Sequence, residues 1–150
     1  MTTRRALTGW LALFTALIAT FAMGAAPAQA APASFWLKSM KNGMCLDASS
    51  SQGVRLNSCN DGIYQRWHSD PTTDEIWNGT GKCLDGSTSQ GVRLLDCNAG
   101  VYQKWVSHPA DDSIRRATAT TLCLDGSVSQ GVRLLKCNSG DYQAWSLVSQ

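Results

Sequence analysis

Four polar residue types recur three times at one spacing, and they are the part of the chain best suited to chemistry. Each of three aspartates follows Cys-Leu, an arginine lies eight residues later, and a Tyr-Gln pair begins nine residues after the arginine. A carboxylate accepts the hydrogen bonds that neighbouring hydroxyl groups donate, and guanidinium and amide groups add further donors. The candidate binding residues are Asp47, Arg55, Tyr64, Gln65, Asp85, Arg93, Tyr102, Gln103, Asp125, Arg133, Tyr142 and Gln143.

This threefold set points to binding rather than to catalysis, because catalysis needs an asymmetric group of side chains. The two histidines, His68 and His108, have no counterpart in the third repeat, and we expect both to be solvated. The carboxylate pairs Asp74-Glu75 and Asp111-Asp112 lie between repeats, where exposed turns are expected. The chain contains no G-x-S-x-G, phosphate-loop or H-E-x-x-H pattern. We therefore predict that the protein is not an enzyme and uses no metal or cofactor.

The spacing reflects an internal repeat that runs through most of the chain. Residues 83–105 and 123–145 agree at 18 of 23 positions without a gap, and residues 45–67 match residues 83–105 at 16. Agreement at this level predicts three equivalent structural units. The repeats span about residues 34–70, 71–108 and 109–148.

Each repeat has the pattern of short strands. Val-Arg-Leu and Cys-Leu-Asp both alternate in polarity, which places leucine on the core side and cysteine and aspartate outside. Gly53, Gly91 and Gly131 lie in the turn between these strands and are free to adopt positive φ. A further apolar segment precedes each Cys-Leu-Asp, and no window has a helical stripe. The pattern predicts an all-β barrel or sandwich.

Each repeat contains two cysteines, 14 residues apart. Pairing within the repeat treats all three copies alike, and each bond is worth about 3 kcal/mol for a loop of ~15 residues. Metal binding is the alternative, but neither C-x-x-C nor a nearby histidine accompanies the pairs. The predicted disulfides are Cys45–Cys59, Cys83–Cys97 and Cys123–Cys137.

The first 30 residues have the pattern of a secretory signal. Arg4 and Arg5 precede an apolar run, and Ala28-Gln29-Ala30 fits a cleavage site. A retained membrane anchor is the alternative, but Thr, Gly and Pro residues interrupt the run. We predict a secreted domain of residues 31–150 in an oxidising environment, with no membrane association after cleavage. Without the two arginines the charges balance, so nucleic acid is not an expected partner.

The repeats resemble the ricin B-chain lectin family. The matching motifs are C-L-D, G-V-x-L-x-x-C-N and Q-x-W, and they extend over about residues 34–148. The resemblance implies a β-trefoil of three pseudo-equivalent units, with the Q-x-W tryptophans in the core. Closure of three hairpin units into a barrel also removes open sheet edges. We expect Leu46, Val54, Leu56, Trp67 and their equivalents inside.

The resemblance also implies a shallow sugar site on each unit. In the family the C-L-D aspartate binds a pair of ring hydroxyls, and the Q-x-W glutamine supports the pocket. These roles correspond to Asp47, Asp85, Asp125 and to Gln65, Gln103, Gln143. Carbohydrate is therefore the expected partner, and this interpretation requires the aspartates to face solvent and remain free. Several weak sites acting together would raise the affinity for a polymer.

Three positions depart from the family pattern and leave alternatives open. Where the family has an aromatic pocket floor, this chain has Asn57, Leu95 and Leu135. The tyrosines before each Q-x-W glutamine are one replacement for that aromatic plane. The arginine of Val-Arg-Leu either pairs with its aspartate across the hairpin or donates hydrogen bonds to a charged sugar. A trefoil without sugar binding, serving as an inhibitor, an envelope scaffold or another protein-contact module, is the alternative function.

Overall fold

The protein is represented by a computed structural model that describes residues 33–150, and twelve strands make up most of this part. The predicted leader, residues 1–30, lies outside the described residues. The strands are β1 Phe35–Ser39, β2 Cys45–Ser49, β3 Gly53–Asn57, β4 Trp67–Asp70, β5 Glu75–Asn78, β6 Lys82–Ser87, β7 Gly91–Asp96, β8 Trp105–His108, β9 Ser113–Arg116, β10 Ala119–Ser127, β11 Gly131–Lys136 and β12 Trp145–Ser149. Two single-turn 3-10 helices, Val101–Gln103 and Asp141–Gln143, precede β8 and β12.

Six strands form a barrel from three antiparallel pairs. β12 pairs with β1, β4 with β5, and β8 with β9. Neighbouring pairs meet at one residue each, at Phe35 with Trp67, Glu75 with Lys104, and Ser113 with Ala144. The first and last strands of the described residues therefore complete one of the three pairs.

Three further hairpins cap one end of the barrel. They are β2–β3, β6–β7 and β10–β11, and each follows directly from a barrel strand. Their turns contain Gly53, Gly91 and Gly131 with φ of 71°, 76° and 76°, as predicted. Six barrel strands and three cap hairpins in threefold arrangement are the architecture of a β-trefoil, which confirms the predicted fold class.

The core consists of equivalent side chains from the three units. Leu46, Leu84 and Leu124, on the first strands of the cap hairpins, are fully buried. The tryptophans of the three Q-x-W motifs are no more than 3% exposed, so their predicted core position is confirmed. Valines and leucines of the Val-Arg-Leu strands pack on this cluster as half-buried side chains, except Leu134, which is buried.

The prediction that cysteine and aspartate of Cys-Leu-Asp lie on an exposed outer face is wrong. Every residue of β2 is buried, including Cys45 and Asp47, and the same residues of β6 and β10 are buried. The outer side of each strand is covered by the segment that begins at the second cysteine of its unit. In the first unit, the amide of Ala48 donates to the carbonyl of Tyr64 at 3.1 Å.

The cysteines pair within each unit, as predicted. The disulfides are Cys45–Cys59, Cys83–Cys97 and Cys123–Cys137, each with a sequence separation of 14. Each bond ties the first strand of a cap hairpin to the segment that covers it. Within residues 33–150, no helix is long and apolar enough to cross a membrane.

Candidate functional site

Aspartate and arginine face each other across every cap hairpin. The register places Asp47 opposite Arg55, and the two later hairpins repeat this pairing. The guanidinium Nη2 lies 2.7 Å from the aspartate Oδ1 in all three units. In the first unit these atoms are not aligned for a hydrogen bond, so that contact is an ion pair alone. The cross-strand pairing predicted by the alternation is therefore confirmed.

The aspartates are not free to meet a ligand in this conformation. Asp47, Asp85 and Asp125 are each only 3% exposed, whereas about a third of each partner arginine side chain is exposed. The expectation of solvent-facing carboxylates is thus wrong. The physical reason is that the covering segment closes one side of the carboxylate and the arginine closes the other.

The Q-x-W glutamines are buried, and their hydrogen bonds link separate segments of the same unit. Gln65, Gln103 and Gln143 are at most 1% exposed. Each Oε1 accepts a hydrogen bond at 2.9 Å from the backbone N–H of the Asn that follows the second cysteine. Each Nε2 donates to a backbone carbonyl at 3.0–3.1 Å. In the first and third units it also donates to the aspartate Oδ2, at 3.1 Å and 3.5 Å. In these two units the glutamine therefore orients the aspartate, and in all three it is shielded from solvent.

The tyrosine before each glutamine is the exposed member of the set. Tyr64, Tyr102 and Tyr142 are 43%, 46% and 45% exposed, so all three units present an aromatic ring beside the buried Asp–Gln pair. Such a ring offers a large apolar face at low conformational cost. These positions are where the sequence suggested a replacement for the missing aromatic floor.

A cation from the next unit lies beside two of the three tyrosines and makes the three positions different. The guanidinium of Arg116 lies 5.3 Å from the centre of the Tyr102 ring, and Nζ of Lys41 lies 5.5 Å from that of Tyr142. Lys41 also pairs with Asp141 at 3.1 Å. Among the residues described, no cation lies over Tyr64. The second and third tyrosines therefore carry a cation that the first lacks.

A surface cavity of about 300 Å³ opens at the boundary between the third unit and the first. It is lined by Lys41, Asn42, Ser127, Val128, Ser129 and Tyr142. Ser127 follows Asp125 by two residues on β10, and Tyr142 precedes Gln143, so the cavity adjoins the third candidate set. An aromatic face, hydroxyls, an amide and a cation together suit a ligand with several hydroxyl groups.

Sequence reasoning missed five of the six cavity residues, including the lysine above the ring. Lys41 and Asn42 lie 100 residues from the third unit's 3-10 helix, and only the contact between first and last units brings them together. The serines carried a detectable signal, because Ser127 and Ser129 recur as Ser49 and Ser51 and as Ser87 and Ser89. Each recurring pair has its hydroxyls 3.2–3.5 Å apart.

Asp111 forms a separate polar cluster in the turn between β8 and β9. Its carboxylate accepts a hydrogen bond from the Ser113 hydroxyl at 2.6 Å, contacts Nδ1 of His108 at 3.0 Å and pairs with Arg115. The Ser113 hydroxyl, followed by Arg115 and His108, holds the pKa of Asp111 well below its usual range. The same carboxylate oxygen, Oδ1 of Asp111, thus contacts both the serine hydroxyl and the histidine ring.

The comparison with known families agrees with this architecture. The profile of the ricin-type β-trefoil lectin domain matches residues 33–105 and 73–150, in two overlapping alignments. The chain belongs to the ricin-type β-trefoil lectin family. No curated protein sequence matches the chain.

Solved β-trefoil lectins have the same fold at low sequence identity. The C-terminal half of an earthworm R-type lectin, solved with GalNAc, is 19% identical with a TM-score of 0.67, covering 79% of this chain and 100% of that one. The lectin domain of Vibrio vulnificus hemolysin, solved with N-acetyl-D-lactosamine, is 21% identical with a TM-score of 0.67, covering 81% and 97%. The hemolytic lectin CEL-III is 26% identical with a TM-score of 0.66, covering 77% of this chain and 30% of that one.

Proposed function

We propose that this ricin-type lectin is a secreted, non-catalytic module that binds carbohydrate at up to three shallow sites. The observation that carries the proposal is the cavity beside Tyr142, which combines an exposed aromatic ring with serine, asparagine and lysine side chains. Family membership and the sugars bound by the earthworm and Vibrio lectins support the same class of ligand.

The direct contacts in this proposal come from the exposed side chains. A sugar ring packs on the tyrosine, and its hydroxyls meet the cap serines and the exposed part of the arginine. The buried aspartate and glutamine hold the arginine and the tyrosine-bearing turn in place. The aspartate thus acts through the arginine and is a positioning residue.

Three repeated sites give the module a way to bind polymers tightly. One shallow site with a single aromatic contact binds weakly, but linked sites on one polymer act at a high effective concentration. The predicted leader and the three disulfides support an extracellular location, where such polymers occur.

One observation favours a second function, a trefoil that binds protein and not sugar. The three carboxylates that bind hydroxyls in the family resemblance are buried and paired with arginine here. A scaffold needs these ion pairs only for stability, and it presents the tyrosines to a protein partner.

A glycan array with tyrosine variants distinguishes the two functions. We expect the oxidised protein to bind at least one class of glycan, and Tyr142→Ala to lower that binding about tenfold, the loss of one aromatic stacking contact of ~1–1.5 kcal/mol. Ile63→Ala and Val101→Ala are matched controls, because they remove exposed apolar side chains beside Tyr64 and Tyr102. The lectin proposal would be contradicted if no glycan bound at high protein density. It would also be contradicted if none of the three Tyr→Ala changes weakened glycan binding.

A further inference from the structure

A second cavity of about 280 Å³ lies at the end of the barrel opposite the caps. Its walls include Phe35, Ile76, Trp105, Ile114 and Leu147. The turn from β4 to β5 borders it, and β5 runs from this turn toward the cap hairpin β6–β7. The cavity is therefore at the far end of the molecule's threefold axis from the tyrosines.

Two of the three units have a small residue at one position of the cavity wall. The residue two places after each Q-x-W tryptophan lies on the same face of its strand as the tryptophan. That residue is Ser69, Ser107 or Leu147, and all three line the cavity and are exposed, Leu147 by 47%. The three positions therefore lie at the open mouth of the cavity, where serine leaves more room than leucine.

The cavity carries negative charge without a compensating cation. Asp70, Asp74 and Glu75 line it, and none of its lining residues is lysine, arginine or histidine. Asp70 Oδ1 accepts a hydrogen bond from the Thr72 amide at 2.7 Å, and Glu75 Oε1 accepts one from the Ala99 amide at 3.0 Å. None of the ion pairs found within residues 33–150 includes these three carboxylates.

We propose that this barrel-end cavity binds a small organic ammonium ion with an apolar body. The aliphatic and aromatic walls remove the body from water, and the carboxylates attract the cation. The apolar walls are matched by the apolar body of such an ion, and the cavity lies at the opposite end of the barrel from the tyrosines. The site is thus independent of the proposed carbohydrate sites.

Calorimetry with two probes of equal size tests the proposal on the oxidised protein. We expect 2-phenylethylammonium to bind about tenfold more tightly than 2-phenylethanol, since only the former carries the charge that the acidic rim attracts. Equal affinity of the two probes would overturn the proposal, and so would the absence of ammonium binding.

A matched pair of variants identifies the carboxylates that matter. Asp74 and Asp112 occupy equivalent turns with φ of 60° and 53°, but only Asp74 lines the cavity. Asparagine tolerates this left-handed backbone, so both variants keep the turn. We expect Asp74→Asn to weaken ammonium binding about threefold or more, and Asp112→Asn to leave it unchanged. Equal effects of the two variants would contradict the assignment.

Filling the cavity provides a control for location. Ser107→Leu places in the second unit the residue that the third unit already has at Leu147, so the fold accommodates this side chain. We expect this variant to keep its thermal unfolding transition, to lose ammonium binding and to bind glycans as before. Retained ammonium binding would place the ligand elsewhere, whereas a loss of glycan binding alone would concern only the carbohydrate proposal.

Discussion

Each aspartate of the Cys-Leu-Asp segments is held between two partners, an arginine across the hairpin and a covering segment from its own unit. The arginine is about one-third exposed and the carboxylate about 5%. Such a pair differs from a surface salt bridge, because the loss of one partner leaves a charge with little access to water. The arginines therefore contribute both to folding and to the surface presented to a ligand.

Removing one arginine tests this view. We expect Arg93→Gln to lower the free energy of unfolding by about 1 kcal/mol, because glutamine still donates one hydrogen bond to Asp85. Arg93→Ala offers no donor, and we expect it to cost about 2 kcal/mol or more. Urea unfolding measures both values. If both variants are as stable as the unchanged protein, Arg93 does not stabilise the buried carboxylate of Asp85.

The residue pairing shows both the strength and the limit of sequence reasoning. Strand alternation was sufficient to pair Asp47 with Arg55, since both residues lie on one face of a two-stranded hairpin. The burial of Asp47 depends on Gln65, 18 residues later, and on how that segment folds back. No strand period encodes that contact, so the aspartate was expected in solvent.

Cap strands and tryptophans fit each other differently in the three units. A Cβ atom added to Gly86 would lie 2.5 Å from Cη2 of Trp105, and one added to Gly126 would lie 2.7 Å from Cη2 of Trp145. The first unit has Ala48 at this position, fully buried in the core that contains Trp67. In the second and third units the first cap strand therefore packs so closely against the tryptophan that an alanine in place of the glycine would clash with the ring.

We expect Gly86→Ala to lower the free energy of unfolding by about 1–3 kcal/mol, the usual cost of overpacking a core. The Trp105 ring must move to accept the new methyl group. Chemical denaturation measures the change, with Thr88→Ala in the nearby exposed turn as a control. An unchanged midpoint for Gly86→Ala would mean that the tryptophan layer adjusts freely.

The β8–β9 turn should respond to acid through Asp111. Its pKa is lowered in the folded protein, chiefly by the Ser113 hydroxyl, so its stabilising effect is complete above the unfolded pKa of about 3.9 and is lost as pH falls below it. We expect Asp111→Asn to flatten the loss of stability below about pH 4. Thermal melts between neutral and acid pH test this expectation, and parallel curves for both proteins would contradict it.

At the scale of the whole molecule, the three units are copies in fold but not in surface. Repetition of cysteines, leucines and tryptophans predicts the trefoil, because these residues serve contacts inside each unit. The cavity at Tyr142 depends on Lys41 and Asn42 of the first unit, and the barrel-end cavity depends on two serines and one leucine at equivalent positions. These differences arise where units meet, and a repeat alignment alone does not show which loops become neighbours.

The central claim is that a sugar is bound at the tyrosine-bearing end of the molecule. Amide NMR during titration with a glycan selected on the array tests it most directly. We expect shifts to concentrate at Lys41, Asn42, Ser127, Ser129 and Tyr142, and at the equivalent turns of the other units. Shifts that leave all three tyrosine-bearing turns unchanged would contradict the claim.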